Sequence, residues 1–162
     1  MKLKKIFVGV LGVTLMSASM MSFALDAKTV AGAACQEGRS SDNTIRPSDG
    51  SMLNNFILPQ EWTCPIVRDL MESRIVGARI EAVNRNGTMS CSLNSRDSRG
   101  GFVSILSKSL TLSGNTVQRM EWENGIDAGN YGYYYFRCRV NGKQPRTSNK
   151  SGIVSYYWVE RN

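Results

Sequence analysis

Tyr133-Tyr134-Tyr135-Phe136-Arg137-Cys138-Arg139-Val140 is the stretch that decides the fold class of this chain. Tyr134, Phe136, Cys138 and Val140 fall on one side of it; Tyr133, Tyr135, Arg137 and Arg139 fall on the other. Successive strand residues point to opposite faces, so this period of two predicts a strand with one face on a core. The period recurs on both sides of it. Downstream, Ile153, Tyr157 and Val159 oppose Val154, Tyr156 and Trp158. Upstream, Val76, Ala78, Ile80 and Ala82 oppose Arg79 and Glu81, and Met89, Cys91 and Leu93 oppose Ser90 and Ser92. Asn84-Arg85-Asn86-Gly87 between these last two runs predicts a hairpin turn, since Asn and Gly tolerate positive φ.

Further strands are expected at Glu61 to Val67, at Phe102 to Leu112 with a bend or split at Ser107-Lys108-Ser109, and at Thr116 to Trp122. Gly114-Asn115, a loop from Asn124 to Asn130 and a polar loop from Asn141 to Gly152 separate them. One helical turn is expected between Asp69 and Arg74. Short strands with turn signals between them predict an all-β domain, a single antiparallel β-sandwich over residues 61–162. Residues 25–60, rich in Ser, Asp, Asn, Gly and Pro, read as a loop-rich N-terminal segment of the same domain.

The chain opens with Lys2, Lys4 and Lys5, then an apolar run from Ile6 to Met16, then Ser22 and Ala24. This is the layout of an export signal over residues 1–24, cleaved after Ala24, and the apolar run is too short to span a bilayer. Gly32-Ala33-Ala34-Cys35 loosely resembles a lipidation site, but Asp26 and Lys28 separate it from the apolar run. Losing the three leader lysines takes the net charge from +7 to +4, a mild excess spread without a dense basic run. The expectation is a secreted or periplasmic protein that binds no nucleic acid and does not insert stably in a membrane.

Four cysteines, Cys35, Cys64, Cys91 and Cys138, allow three pairings in an oxidising compartment. Cys91 and Cys138 lie mid-strand on apolar faces, and Cys35 and Cys64 flank the irregular segment. Position therefore favours Cys35–Cys64 and Cys91–Cys138. Two mid-strand cysteines give the pattern an immunoglobulin-like appearance. Phe136 stands where that family has its tyrosine, however, and no Trp follows Cys91 at the usual distance, so a true immunoglobulin domain is not expected.

Cys64-Pro65-Ile66-Val67-Arg68-Asp69, Cys91-Ser92-Leu93, Tyr134-Tyr135-Phe136-Arg137-Cys138-Arg139-Val140 and Ile153-Val154-Ser155-Tyr156 also resemble a family of small signal-bearing bacterial proteins. The resemblance implies a β-rich exported domain with disulfides. That family has no assigned activity, so it implies no functional residues.

Histidine is absent, which removes the common general base, the Ser-His and Cys-His nucleophile systems and most zinc sites. No cofactor or metal is expected. Glu121 and Glu123 flank Trp122 with Asp127 nearby, the pairing a glycoside hydrolase or lyase would need beside a sugar platform. Arg68-Asp69 reads as a local ion pair. Aromatics crowd both faces of the last two strands, and one set must fill the core. Tyr133, Tyr135, Tyr156 and Trp158, with Arg137 and Arg139, are the candidate binding face, for a protein or a glycan at the cell surface. The competing expectation packs them under residues 25–60. A non-enzymatic binding module leads. The carboxylate enzyme and a structural component of the envelope or extracellular matrix are the alternatives.

Overall fold

A computed structural model describes residues 25–38, 44–69, 73–111, 114–129 and 131–161. The expected export signal lies outside the described residues, as do residues 70–72 of the expected helical turn. The strands are β1 (Leu25–Ala31), β2 (Gln36–Glu37), β3 (Thr44–Ile45), β4 (Met52–Asn54), β5 (Gln60–Ile66) and β6 (Arg74–Val83). They continue as β7 (Met89–Arg96), β8 (Phe102–Leu110), β9 (Gln118–Trp122), β10 (Tyr133–Val140) and β11 (Gly152–Arg161).

Two antiparallel sheets form the expected all-β sandwich. Sheet A has the order β3-β4-β11-β6-β9, with β1 also paired to β11; sheet B has the order β2-β5-β10-β7-β8. From β4 onward the chain changes sheet at every connection except the β7–β8 hairpin, which is the winding of a jelly roll. The immunoglobulin-like appearance has a simple origin. Cys91 and Cys138 are bonded, but they face each other in register on the neighbouring strands β7 and β10 of one sheet, with Cα atoms 4.0 Å apart. The bridge therefore staples sheet B and does not cross between sheets. Cys35 bonds Cys64 and fastens the short β2 to β5 in the same sheet.

Between the sheets, Trp122 meets Phe136, Phe136 meets Tyr156 edge-on, and Tyr156 stacks on Trp158, at ring-centroid distances of 5.3, 5.9 and 6.0 Å. Trp62, Ile80, Met89, Leu93 and Ile153 are fully buried in the same core. Such aromatic contacts add to the area term that dominates folding.

Four details differ from the sequence pattern. Asn84-Arg85-Asn86-Gly87 carries the chain from β6 in sheet A to β7 in sheet B, so the two runs pack across the core and do not pair as a hairpin. Leu25–Ala31 is a full edge strand along β11, from Leu25↔Arg161 to Ala31↔Ser155. An edge ladder satisfies backbone groups and needs no apolar side chains, so a polar run suffices. Strand β8 runs unbroken through Ser107-Lys108-Ser109; the irregularity lies instead between Ser95 and Arg96 on its partner. In β6 a shift opposite Val159/Glu160 turns Ile75 inward in place of Val76.

Candidate functional site

The outer face of sheet B is built from β10 and its two neighbours. Register places Tyr135 between Pro65 and Asn94, Arg137 between Thr63 and Ser92, and Arg139 between Glu61 and Ser90. Tyr133 sits opposite Arg96. The rings of Tyr133 and Tyr135 lie near-parallel, 27° apart, with centroids 6.2 Å apart. Arg96 Nε donates to Tyr135 Oη at 3.3 Å. Arg137 Nη2 meets Glu61 Oε2 at 2.5 Å, and this bond holds the guanidinium above its ordinary pKa.

The β7–β8 turn closes one side. Asp97 Oδ1 accepts from the backbone N–H of Arg99 and Gly101 at 2.9 and 2.7 Å. Gly100, at φ +81°, brings the turn beside the Tyr133 hydroxyl. The result is an open concavity lined by Tyr133, Tyr135, Arg137, Glu61, Thr63 and Arg96 among others. It offers ring faces, a fixed ion pair and hydroxyls, which suits recognition of a polar ligand with apolar patches.

Two expected site residues do not belong to it. Tyr156 and Trp158 are each 1% exposed. Strand β11 lies in sheet A, so it shares no face with β10, and a bulge between Ile153 and Ser155 reverses its alternation. Both Ile153 and Tyr156 consequently point inward. Tyr156 Oη crosses the core to donate to the Pro65 carbonyl at 3.0 Å, and burial pushes its pKa up to about 12. Trp158 Nε1 donates to Glu160 Oε1 at 3.1 Å, and Glu160 Oε2 accepts from Ser73 Oγ at 2.8 Å.

Conversely, Glu61 and Arg96 join the site although sequence reading passed them over. Their signal is pairing across strands far apart in sequence, which no local pattern carries. Arg68 and Asp69 enter different networks. Arg68 donates to the carbonyls of Gly129 and Gly132, and Asp69 pairs with Lys28 at 2.5 Å.

Glu121 and Glu123 are exposed on β9 and just beyond it, but Trp122 between them is buried and donates to the Leu106 carbonyl at 2.9 Å. Its ring is in the core and offers no sugar platform. Among the described residues no group of His, Cys, Asp and Glu is placed to hold a metal, and no helix is long and apolar enough to cross a membrane. The two disulfides fit an oxidising compartment.

No family model matches the chain, and no curated protein matches it. Solved structures do. The chain is similar to a xylan-binding module, CBM86, from Roseburia intestinalis, with 12% identity and a TM-score of 0.50 over 85% of this chain and 96% of that one. It is also similar to part of tailspike protein 4 of bacteriophage CBA120, with 14% identity and a TM-score of 0.51 over 83% of this chain. A third likeness, at 15% identity and a TM-score of 0.50 over 83% of this chain, is to the Cry4Aa toxin of Bacillus thuringiensis. The chain spans only 19% of that tailspike chain and 23% of that toxin. At these identities the likeness is one of fold.

Proposed function

We propose that the chain is an exported, non-enzymatic module that binds a glycan on the outer face of sheet B. The observation that carries this reading is the outward-facing pair of exposed Tyr133 and half-buried Tyr135 beside the Arg137–Glu61 ion pair, held on a strand that a disulfide staples to its neighbour. Ring faces stack on the apolar faces of sugar rings, and a fixed ion pair orients hydroxyls by charge-assisted hydrogen bonds. A xylan-binding module with the same architecture supports a glycan over a protein partner. The buried indole of Trp122 weighs against the carboxylate enzyme.

Affinity electrophoresis against a panel of soluble plant and bacterial polysaccharides tests the reading. At least one should retard the protein, and Tyr133→Ala/Tyr135→Ala should weaken that retardation by about 10- to 100-fold, as loss of buried aromatic anchors does. Undiminished binding by the double variant would move the site elsewhere. Release of reducing ends, abolished in Glu121→Gln, would replace the module with an enzyme.

A further inference from the structure

The two ends of the sandwich differ in charge. At one end lie the connections 55–59, 84–88 and 141–151, with residues 111 and 114–117. Their sequences contain Arg85, Lys143, Arg146 and Lys150 and no Asp or Glu. The connections at the other end contain Asp69, Glu72, Asp97, Glu123 and Asp127 beside their own cations. The ion pairs among the described residues leave Arg85, Lys143, Arg146 and Lys150 without a carboxylate. The Arg85 Nε is moreover buried with no hydrogen-bond partner.

Exposed aliphatic side chains share this end. Ile57 and Leu58 are 56% and 59% exposed. Their loop is locked to the basic one: Lys143 N–H donates to the Phe56 carbonyl at 2.8 Å, and a Cβ on Gly142 would lie 2.0 Å from the Ile57 carbonyl oxygen. Gln144 Nε2 then donates to the Arg85 carbonyl at 3.0 Å, and Arg85 N–H donates to Ser151 Oγ at 2.9 Å. Beneath, Asn54 Nδ2 donates to the Val140 and Leu58 carbonyls at 3.1 Å, and Asn84 Nδ2 donates to the Gly87 and Leu110 carbonyls at 2.9 Å. The aliphatic pair and the cations thus ride on one preformed platform.

We propose that this end docks on an anionic phospholipid surface. Ile57 and Leu58 enter the boundary between headgroups and acyl chains, and Arg85, Lys143, Arg146 and Lys150 meet lipid phosphates. Exposed aliphatic side chains gain by leaving water for hydrocarbon, and clustered cations are drawn to anionic lipid. A sugar chain would be better served by the ring faces of sheet B. The proposal is independent of the glycan reading, which uses a different face.

Residues 25–162, which hold both sheets complete, are tested with vesicles of phosphatidylcholine made with and without phosphatidylglycerol. Sedimentation should show binding only to the phosphatidylglycerol vesicles, falling as salt is raised. Each cation at an anionic surface contributes roughly fivefold, so Lys143→Gln/Arg146→Gln/Lys150→Gln should bind about a hundredfold more weakly. Ile57→Ser/Leu58→Ser should also lose binding, and the emission of Leu58→Trp should shift to the blue on vesicles. Tyr133→Ala/Tyr135→Ala should bind vesicles like the parent, which separates this site from the glycan face. Thermal melts confirm that the variants fold, and the salt dependence of the parent needs no variant. Equal binding to pure phosphatidylcholine, or unchanged binding by the charge variant, would overturn the proposal. So would capture of a soluble acidic polysaccharide in place of vesicles.

Discussion

Strands β10 and β11 carry the same kind of sequence, an aromatic run near the end of the chain, and put it to opposite uses. In β10 the alternation is unbroken, so Tyr133 and Tyr135 face solvent while Tyr134 and Phe136 pack inward. In β11 a single bulge reverses the alternation, and Tyr156 and Trp158 become core. Their anchoring differs as well. A disulfide to β7 holds β10, whereas the hydrogen bonds of Tyr156 to the Pro65 carbonyl and of Ser73 to Glu160 tie β11 into its surroundings. One inserted residue thus decides whether an aromatic ring is available to a ligand or contributes to stability.

The sharpest way to break this contrast is truncation. Trp158→Ala should destabilise by about 5 kcal/mol, the upper range for removing a buried aromatic side chain, because Glu160 also loses its indole donor. Tyr135→Ala should stay within roughly 1 kcal/mol, since its ring is only half-buried. Urea denaturation of both variants measures the difference, and equal losses would mean that the two strands are not used differently. The staple comes next. Cys91→Ala/Cys138→Ala opens a loop of 47 residues. Loop-closure entropy puts that loss at about 4 kcal/mol, read as a lower denaturant midpoint.

Much of this contrast was legible in the sequence, and the illegible part has one cause. The inward set of β10 and the inward Met89, Cys91 and Leu93 follow from local alternation, because nothing interrupts the pleat there. The turn at residues 84–87, by contrast, joins strands of opposite sheets and is not the expected hairpin. The two cysteine pairs follow from strand position. What escaped reading depends on register between distant strands: the bulge that hides Tyr156 and Trp158, the shift that replaces Val76 by Ile75, and the arrival of Glu61 beside Arg137. A one-residue slip moves every later side chain to the other face, and no residue near Val154 announces it. The pairing of Leu25–Ala31 with β11 escaped for a related reason, since backbone pairing alone holds it.

The smallest effect probes the buried side of the comparison through its proton. Burial pushes Tyr156 up to about 12 from an ordinary value of 10.0. Between those limits the unfolded chain releases the proton while the folded chain keeps it. The stabilisation is therefore complete below pH 10 and is lost as pH rises through about 12. Tyr156→Phe removes this dependence, so its unfolding free energy should fall less steeply than that of the parent over this window. Some slope should persist, because burial also raises Tyr134. Near neutral pH the same variant should cost only about 1 kcal/mol, for the hydrogen bond lost to the Pro65 carbonyl. Urea midpoints measured from pH 7 to 12 check both halves. An unchanged alkaline slope would mean that the Tyr156 hydroxyl is open to water, and that β11 differs less from β10 than its bulge implies.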